Sequence, residues 1–430
     1  MSQGLYARWM YRWETALTTQ DENRVVRPVE WGFDCLADFI AQAGLEDRLA
    51  KVASNEEALD VMDALNAAII ERSDDFFGYE RPRDFVLEER CPQLFPTNVR
   101  PETLRRDAKL KRKAAAGLLK QAPFLRFSSP VRTGYPENDR VNARWFEAPP
   151  ENTAGKPKQA IVVMPQWNAD AFSHNTLCRL FNRFGISALR LSKPYHDIRR
   201  PAELERSDYA VSSNIGRTIA ACRQAVVDIR CCLDWLEAQG YEQFGILGTS
   251  LGSCYAFIAS AHDARLQVNA FNHASTAFGD VVWTGQSTRH IRQAFEDAGM
   301  TQERLRTAWS AISPVSYMRR FAEHPKKVLV VHARYDLSFL EQYSLEVLRS
   351  FRELGVDFVS KVLPCGHYTT GETPYKFIDG WYLGSFVHSA FGELANGVSH
   401  PERNDDCRRH LKQRVEARGG GPRRSTARHR

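Results

Sequence analysis

Ala160-Ile161-Val162-Val163-Met164 has no polar residue to turn toward water on either side. Successive strand residues point to opposite faces, so a strand of this make-up must be covered on both. Ile186–Leu191, Phe244–Leu247, Val268–Phe271, Lys327–Val331 and Phe358–Leu363 are further strand segments, separated by helical stretches. Apolar strands alternating with helices predict an α/β chain with a mostly parallel central sheet flanked by helices. Ile215, Ile219, Cys222, Val226, Ile229, Leu233 and Leu236 recur at steps of four and three and mark the clearest helix. Ser212, Ser213 and Asn214 offer caps at its start, and Gly240 offers a stop. Arg217, Arg223, Asp228, Arg230, Asp234 and Glu237 lie off its apolar face. Asn175–Phe184 is a second helix, with Leu177, Leu180, Phe181 and Phe184 at helical spacing.

Ahead of this core, Phe124–Thr133 and Val141–Glu147 predict strands, and Tyr135-Pro136-Glu137-Asn138-Asp139 between them carries turn chemistry. Residues 1–122 are expected to be a helical extension, with helices over Asp34–Ala43, Glu56–Glu71 and Glu102–Gln121. The basic cluster on the last of these is a solvated face. Trp9, Trp13 and Trp31 are expected to pack the extension onto the core. Residues 274–312 interrupt the alternation and carry Phe278, Trp283, Phe295 and Trp309, the make-up of a lid or pocket-lining insertion. The expected layout is an extension over 1–122, a core over 123–394 with that insertion, and a tail over 395–430.

Charge narrows the partners. Residues 401–430 hold nine Arg and one Lys against two Asp and two Glu, which accounts for the whole net charge of +6. The tail is poor in apolar residues, so disorder is expected there. The rest is neutral overall, which argues against nucleic acid as the core's partner. Nine cysteines without a CxxC pair fit a reducing compartment and no zinc ribbon. With neither a signal-like N-terminus nor an apolar stretch of spanning length, a soluble cytoplasmic protein is expected. Oligomeric state is not encoded in any of these features.

The chemistry concentrates at Gly245-Ile246-Leu247-Gly248-Thr249-Ser250-Leu251-Gly252. G-x-S-x-G here ends an apolar strand and opens a helix. The turn is so tight that the residues two before and two after the serine must be small, and Gly248 and Gly252 meet that need. The serine hydroxyl is thereby lifted to the sheet's carboxyl edge. A serine needs a base and the base an orienting acid. Asp336 lies just past the Lys327–Val331 strand, and His367 just past Phe358–Leu363. The order Ser250, Asp336, His367 follows one of the known chain orders of such triads. Asp336 also fits a helix cap, and a loop histidine alone would be unremarkable. It is the ordered set that points to nucleophilic catalysis.

From about residue 124 to 392 the chain resembles the α/β-hydrolase superfamily, and its esterase-like members with a helical N-terminal extension above all. The resemblance implies acyl transfer to a small-molecule acyl substrate through Ser250, with no cofactor and no metal. It also implies an oxyanion hole. Where the family often has His-Gly-X after its first core strand, this chain has Pro165-Gln166-Trp167. The backbone N–H groups of Trp167 and Leu251 are the expected donors, with Gln166 or Asn168 as substitutes for the first. Gln166, Trp283 and Trp309 are candidate pocket residues. A serine peptidase or acyltransferase would use the same triad, and a catalytically silent binding protein the same fold. Among the remaining candidates, His332 is expected to pack. His196 with Asp197 precedes the serine in the wrong order. Arg199 and Arg200 belong to a solvated loop or receive an anionic group.

Overall fold

The computed structural model describes residues 4–396. The expected tail therefore lies outside the described residues, apart from Ala395 and Asn396. Among the described residues, nine strands form one sheet: β1 (Val86–Arg90), β2 (Ala122–Ser128), β3 (Arg140–Phe146), β4 (Gln159–Met164), β5 (Ile186–Leu191), β6 (Gln243–Thr249), β7 (Leu266–Asn272), β8 (Lys327–Ala333) and β9 (Phe358–Leu363). Their order is β1-β2-β3-β5-β4-β6-β7-β8-β9. The first three and the β3–β5 pair are antiparallel, and every pair from β5–β4 to β8–β9 is parallel.

The principal helices are α1 (Leu5–Thr18), α2 (Asn55–Glu71), α3 (Pro101–Ala115), α4 (Asn175–Arg183), α5 (Ile215–Ala238), α6 (Leu251–Ala261), α7 (Phe278–Thr284), α8 (Arg289–Asp297), α9 (Gln302–Ala308), α10 (Glu341–Leu354) and α11 (Tyr375–Ala395). Strand alternation sorts the core into two layers. Ala160, Val162 and Met164 of β4 pack on the side of α5, α6 and α10. Ile161 and Val163 pack on the side of α4 and α11. No helix among the described residues is long and apolar enough to cross a membrane.

α5 follows the expected pattern at both ends. Asn214 is its cap, accepting from the Arg217 N–H. Gly240 takes φ +79° just beyond it, and the Tyr241 N–H returns to Leu236 O, a Schellman closure. Its polar face differs from expectation. Asp228 is fully buried and pairs with the equally buried Arg199, Oδ2 to Nη2 at 2.9 Å. Arg199 is thus a core cation, and no part of a solvated loop.

The N-terminal region is helical, with additions. α1 begins at Leu5, where no helix was expected. α2 carries a capping box between Ser54 and Glu57. α3 has no buried residue, as its charge pattern requires. β1 is a strand that propensity did not signal: Val-Leu-Glu-Glu-Arg pairs with β2 on one side only, and its other edge carries charge that blunts further pairing. Trp13 packs against the α4/α11 layer, whereas Trp9 stays half exposed.

Candidate active site

The turn between β6 and α6 places Ser250 at φ +57°, a left-handed conformation that side chains rarely adopt. A Cβ on Gly248 would collide with Gly252 O, and one on Gly252 with Met164 O and Pro165 O. The glycines are therefore required by backbone approach on both sides of the serine. The second approach locks α6 against the end of β4.

Ser250, Asp336 and His367 come together. Ser250 Oγ lies 2.9 Å from His367 Nε2, and His367 Nδ1 lies 2.9 Å from Asp336 Oδ2. The other Asp336 oxygen, Oδ1, accepts from the N–H groups of Ser338 and Phe339 at 2.8 and 2.6 Å. Burial alone would raise this carboxyl's pKa. The charge of His367 and the hydrogen bonds from His273 and His367 outweigh it and hold Asp336 below the usual carboxylate range. Burial likewise pushes His367 down, but Asp336, by charge and hydrogen bond, and the charge of Glu14 lift it above the ordinary histidine value.

Sequence reasoning missed three of this site's residues. His273, just past β7, donates its Nδ1–H to the same Asp336 Oδ2 at 2.9 Å, and its ring lies 4.3 Å from that of His367. A signal existed, since His273 follows a strand's carboxyl end as His367 does. Phe339 stacks on His367 at 5.2 Å and forms a small apolar wall with Val281 and Tyr343. Glu14, on α1, is fully buried, and its carboxylate accepts from Tyr368 N at 2.9 Å, Thr369 N at 3.0 Å and Thr369 Oγ1 at 3.1 Å. It thereby clamps the loop that carries His367. No local pattern marks Glu14, which lies more than 350 positions away along the chain. Among the described residues, the one grouping with the make-up of a cation site is His273, Asp336 and His367. Both of its imidazoles already spend Nδ1 on Asp336.

The loop after β4 is held from behind. Gln166 O accepts from the buried Lys193 Nζ at 2.9 Å and from Ala169 N at 3.1 Å. A peptide's C=O and N–H point in opposite directions, so the Trp167 N–H is turned away from Lys193. It has no partner among the described residues. Leu251 opens α6, where an N–H has no intrahelical acceptor. His196 and Asp197 serve this loop and its neighbour. His196 Nε2 accepts from Asn168 N, while its Nδ1 donates to Pro194 O. Asp197 is buried against Arg190 at 2.5 Å. Arg200 spends Nη1 on Pro96 O and Glu205 O. His332 is buried, and burial pushes it down to about 4.

The pocket candidates separate. Trp309 is fully buried, edge-on to Phe278 and Phe295, with its indole N–H on Ile215 O. It is the insertion's own core and presents no surface to a substrate, so its expected place in a pocket is corrected. Trp283 is half-buried beneath the Arg292 guanidinium. Gln166 keeps its side-chain Oε1 buried with no partner among the described residues.

No family model and no curated relative matches the chain by sequence. Solved structures do match. Acetyl xylan esterase 1 from Thermoanaerobacterium sp. JW/SL YS485 aligns at TM-score 0.51 and 14% identity, over 75% of this chain and 93% of that one. This chain has the α/β-hydrolase fold. An acylaminoacyl peptidase from Pyrococcus horikoshii is similar at TM-score 0.47 and 12% identity, over 67% of this chain and 48% of that one. The chain thus spans about half of the peptidase's length. Est1E from Butyrivibrio proteoclasticus follows at TM-score 0.42 and 12% identity, over 59% of this chain and 95% of that one. At 14% identity the fold is what this chain shares with the acetyl xylan esterase, and the chemistry has to be argued from the site.

Proposed function

We propose that the protein is a serine hydrolase that cleaves a carboxylic ester through an acyl-enzyme on Ser250. The observation that carries this reading is the unbroken chain Ser250 Oγ, His367 Nε2, His367 Nδ1, Asp336 Oδ2, with 2.9 Å at each contact. His367 takes the serine proton as Oγ attacks the carbonyl, then returns it to the leaving alcohol. Asp336, kept ionised, fixes the tautomer with the proton on Nδ1 and stabilises the imidazolium. The N–H groups of Trp167 and Leu251 receive the developing oxyanion, where loss of one donor costs about 3 kcal/mol. Water activated by His367 releases the acyl group. No step calls on a cofactor.

The test is covalent labelling by a fluorophosphonate followed by mass mapping. Label on Ser250, absent from Ser250→Ala, is the expected result. Label elsewhere, or none, refutes the assignment.

A further inference from the structure

A partly buried cationic cluster joins the N-terminal region to the loops after β4 and β5, and acyl transfer does not use it. The carboxylate of Asp21 is shared by Arg100 at 2.6 Å, Arg206 at 3.2 Å and Arg24 at 3.7 Å. Arg206 also approaches Asp208 at 3.4 Å. Arg27 adds a fourth guanidinium, 6.0 Å from the ring of Tyr209, with no ion pair among the described residues. Two carboxylates thus face four cations. The Arg206 and Arg24 side chains are only 3% and 13% exposed, so water does little to screen the excess.

The same place collects polar atoms without partners. Among the described residues, Nε of Arg24 and Arg27, Ser207 Oγ and both ring nitrogens of His290 are buried and have no hydrogen-bond partner. Most of these atoms are donors, and native structures rarely leave such groups orphaned. An acceptor-rich anion would satisfy them and the charge together.

The contacts of the cluster bridge loops on either side of the strand that carries Ser250. On one side, Trp167 stacks on His290 at 6.1 Å, sits under Arg206 at 5.4 Å and donates its indole N–H to Ser207 O. On the other, Arg24 donates to Ser287 O, and neighbouring Gln286 donates its N–H to Leu337 O, next to Asp336. Trp167 follows β4, and Leu337 follows β8. β6, which carries Ser250, lies between those strands. A group of residues reaching from one to the other spans the end of β6.

We propose that Arg24, Arg27 and Arg206, with Ser207 and His290, bind an anionic group of the substrate, a carboxylate or phosphate carried on the acyl or alcohol half of the ester. The guanidinium N–H groups left over, Nε of Arg24 and Arg27 among them, donate to either anion in charge-assisted hydrogen bonds. This deepens the esterase reading and rests on it.

The experiment compares nitrophenyl pentanoate with the mono-nitrophenyl ester of glutaric acid, which carries a carboxylate at matched length. A third arm is a nitrophenyl ester with a terminal phosphate, which tells the two anions apart. Wild type is expected to favour a charged ester at least tenfold in kcat/KM. Arg206→Gln and Arg27→Gln should each cut that ratio several-fold, mainly through KM. Arg27 makes no ion pair among the described residues, so its variant keeps the test open if Arg206→Gln does not fold. A wild-type ratio near one for both anions, with Ser250 still labelled by fluorophosphonate, overturns the anion site and leaves the hydrolase standing. If Ser250 does not label, the hydrolase reading fails on its own. Thermal shift with inorganic phosphate and with glutarate then decides the cluster: a shift lost in Arg206→Gln supports it, and no shift overturns it.

Discussion

Asp336, the acid of the proposed triad, is heavily loaded: two imidazoles and two backbone N–H groups converge on its two oxygens. Asp336→Asn should keep the fold and lower ester turnover by several orders of magnitude, as tautomer control is lost. Ser250→Ala should cost about three orders or more. Asp197→Asn should act differently. It leaves Arg190 buried without its counter-charge, so about 3 kcal/mol of stability should go, read by denaturant unfolding. A catalytic collapse without that unfolding would move the acid to Asp197. His367 must be neutral to act as base, and its pKa lies above the ordinary histidine value. The acid limb of kcat/KM should therefore have its midpoint above about 6.5. Glu14 contributes to that lift by charge, so Glu14→Gln should move the midpoint down. An unmoved midpoint, even with lower turnover, would reduce Glu14 to a structural clamp. His367 and Asp336 were legible in the sequence because each lies directly past a strand. Glu14 was not, since its partners are backbone N–H groups brought to it only by folding.

Two elements set predictions about stability. α5 hides an ion pair at its centre. Arg199→Met should cost about 3–5 kcal/mol by stranding Asp228, and adding Asp228→Leu should restore much of it. The pair was illegible because Asp228 lies off the helix's apolar stripe, and only the packing of the 129–139 and 192–199 segments over α5 covers that face. α11 carries Asp379, which donors on Asn272 reach at 2.9 and 3.1 Å. Burial pushes this carboxyl up to about 7 despite those hydrogen bonds. Its folded pKa exceeds its unfolded one, so its contribution is fully present below about pH 4 and is lost as pH rises through about 7. Asp379→Asn should therefore stabilise the protein at pH 8 by on the order of 2 kcal/mol relative to wild type, and by little at pH 5. A variant that gains equally at both pH values would show that Asp379 is ionised throughout.

Across the whole molecule, the N-terminal region and the 274–312 insertion meet over the sheet's carboxyl edge. Asn66 of α2 bonds Ala308 O and Ala311 N, and Thr18 of α1 bonds Gln286. An ester series of rising acyl length should separate the insertion's tryptophans. Trp309→Ala should lose about 3–5 kcal/mol of stability and leave the chain-length profile in place, because its ring is interior. Phe339→Ala should flatten that profile, because its ring faces His367. The sequence by itself determined the parallel strands, the caps of α5 and the serine elbow. Each of these is written in neighbouring residues: apolar runs, helical spacing, and glycines where backbone meets backbone. Only the tertiary structure decided that α1 reaches the histidine loop, that Trp309 is core, and that arginines from positions 24 to 206 crowd beside Trp167. Such groups are distant in the chain, and what each one does depends on which charges and surfaces folding places against it.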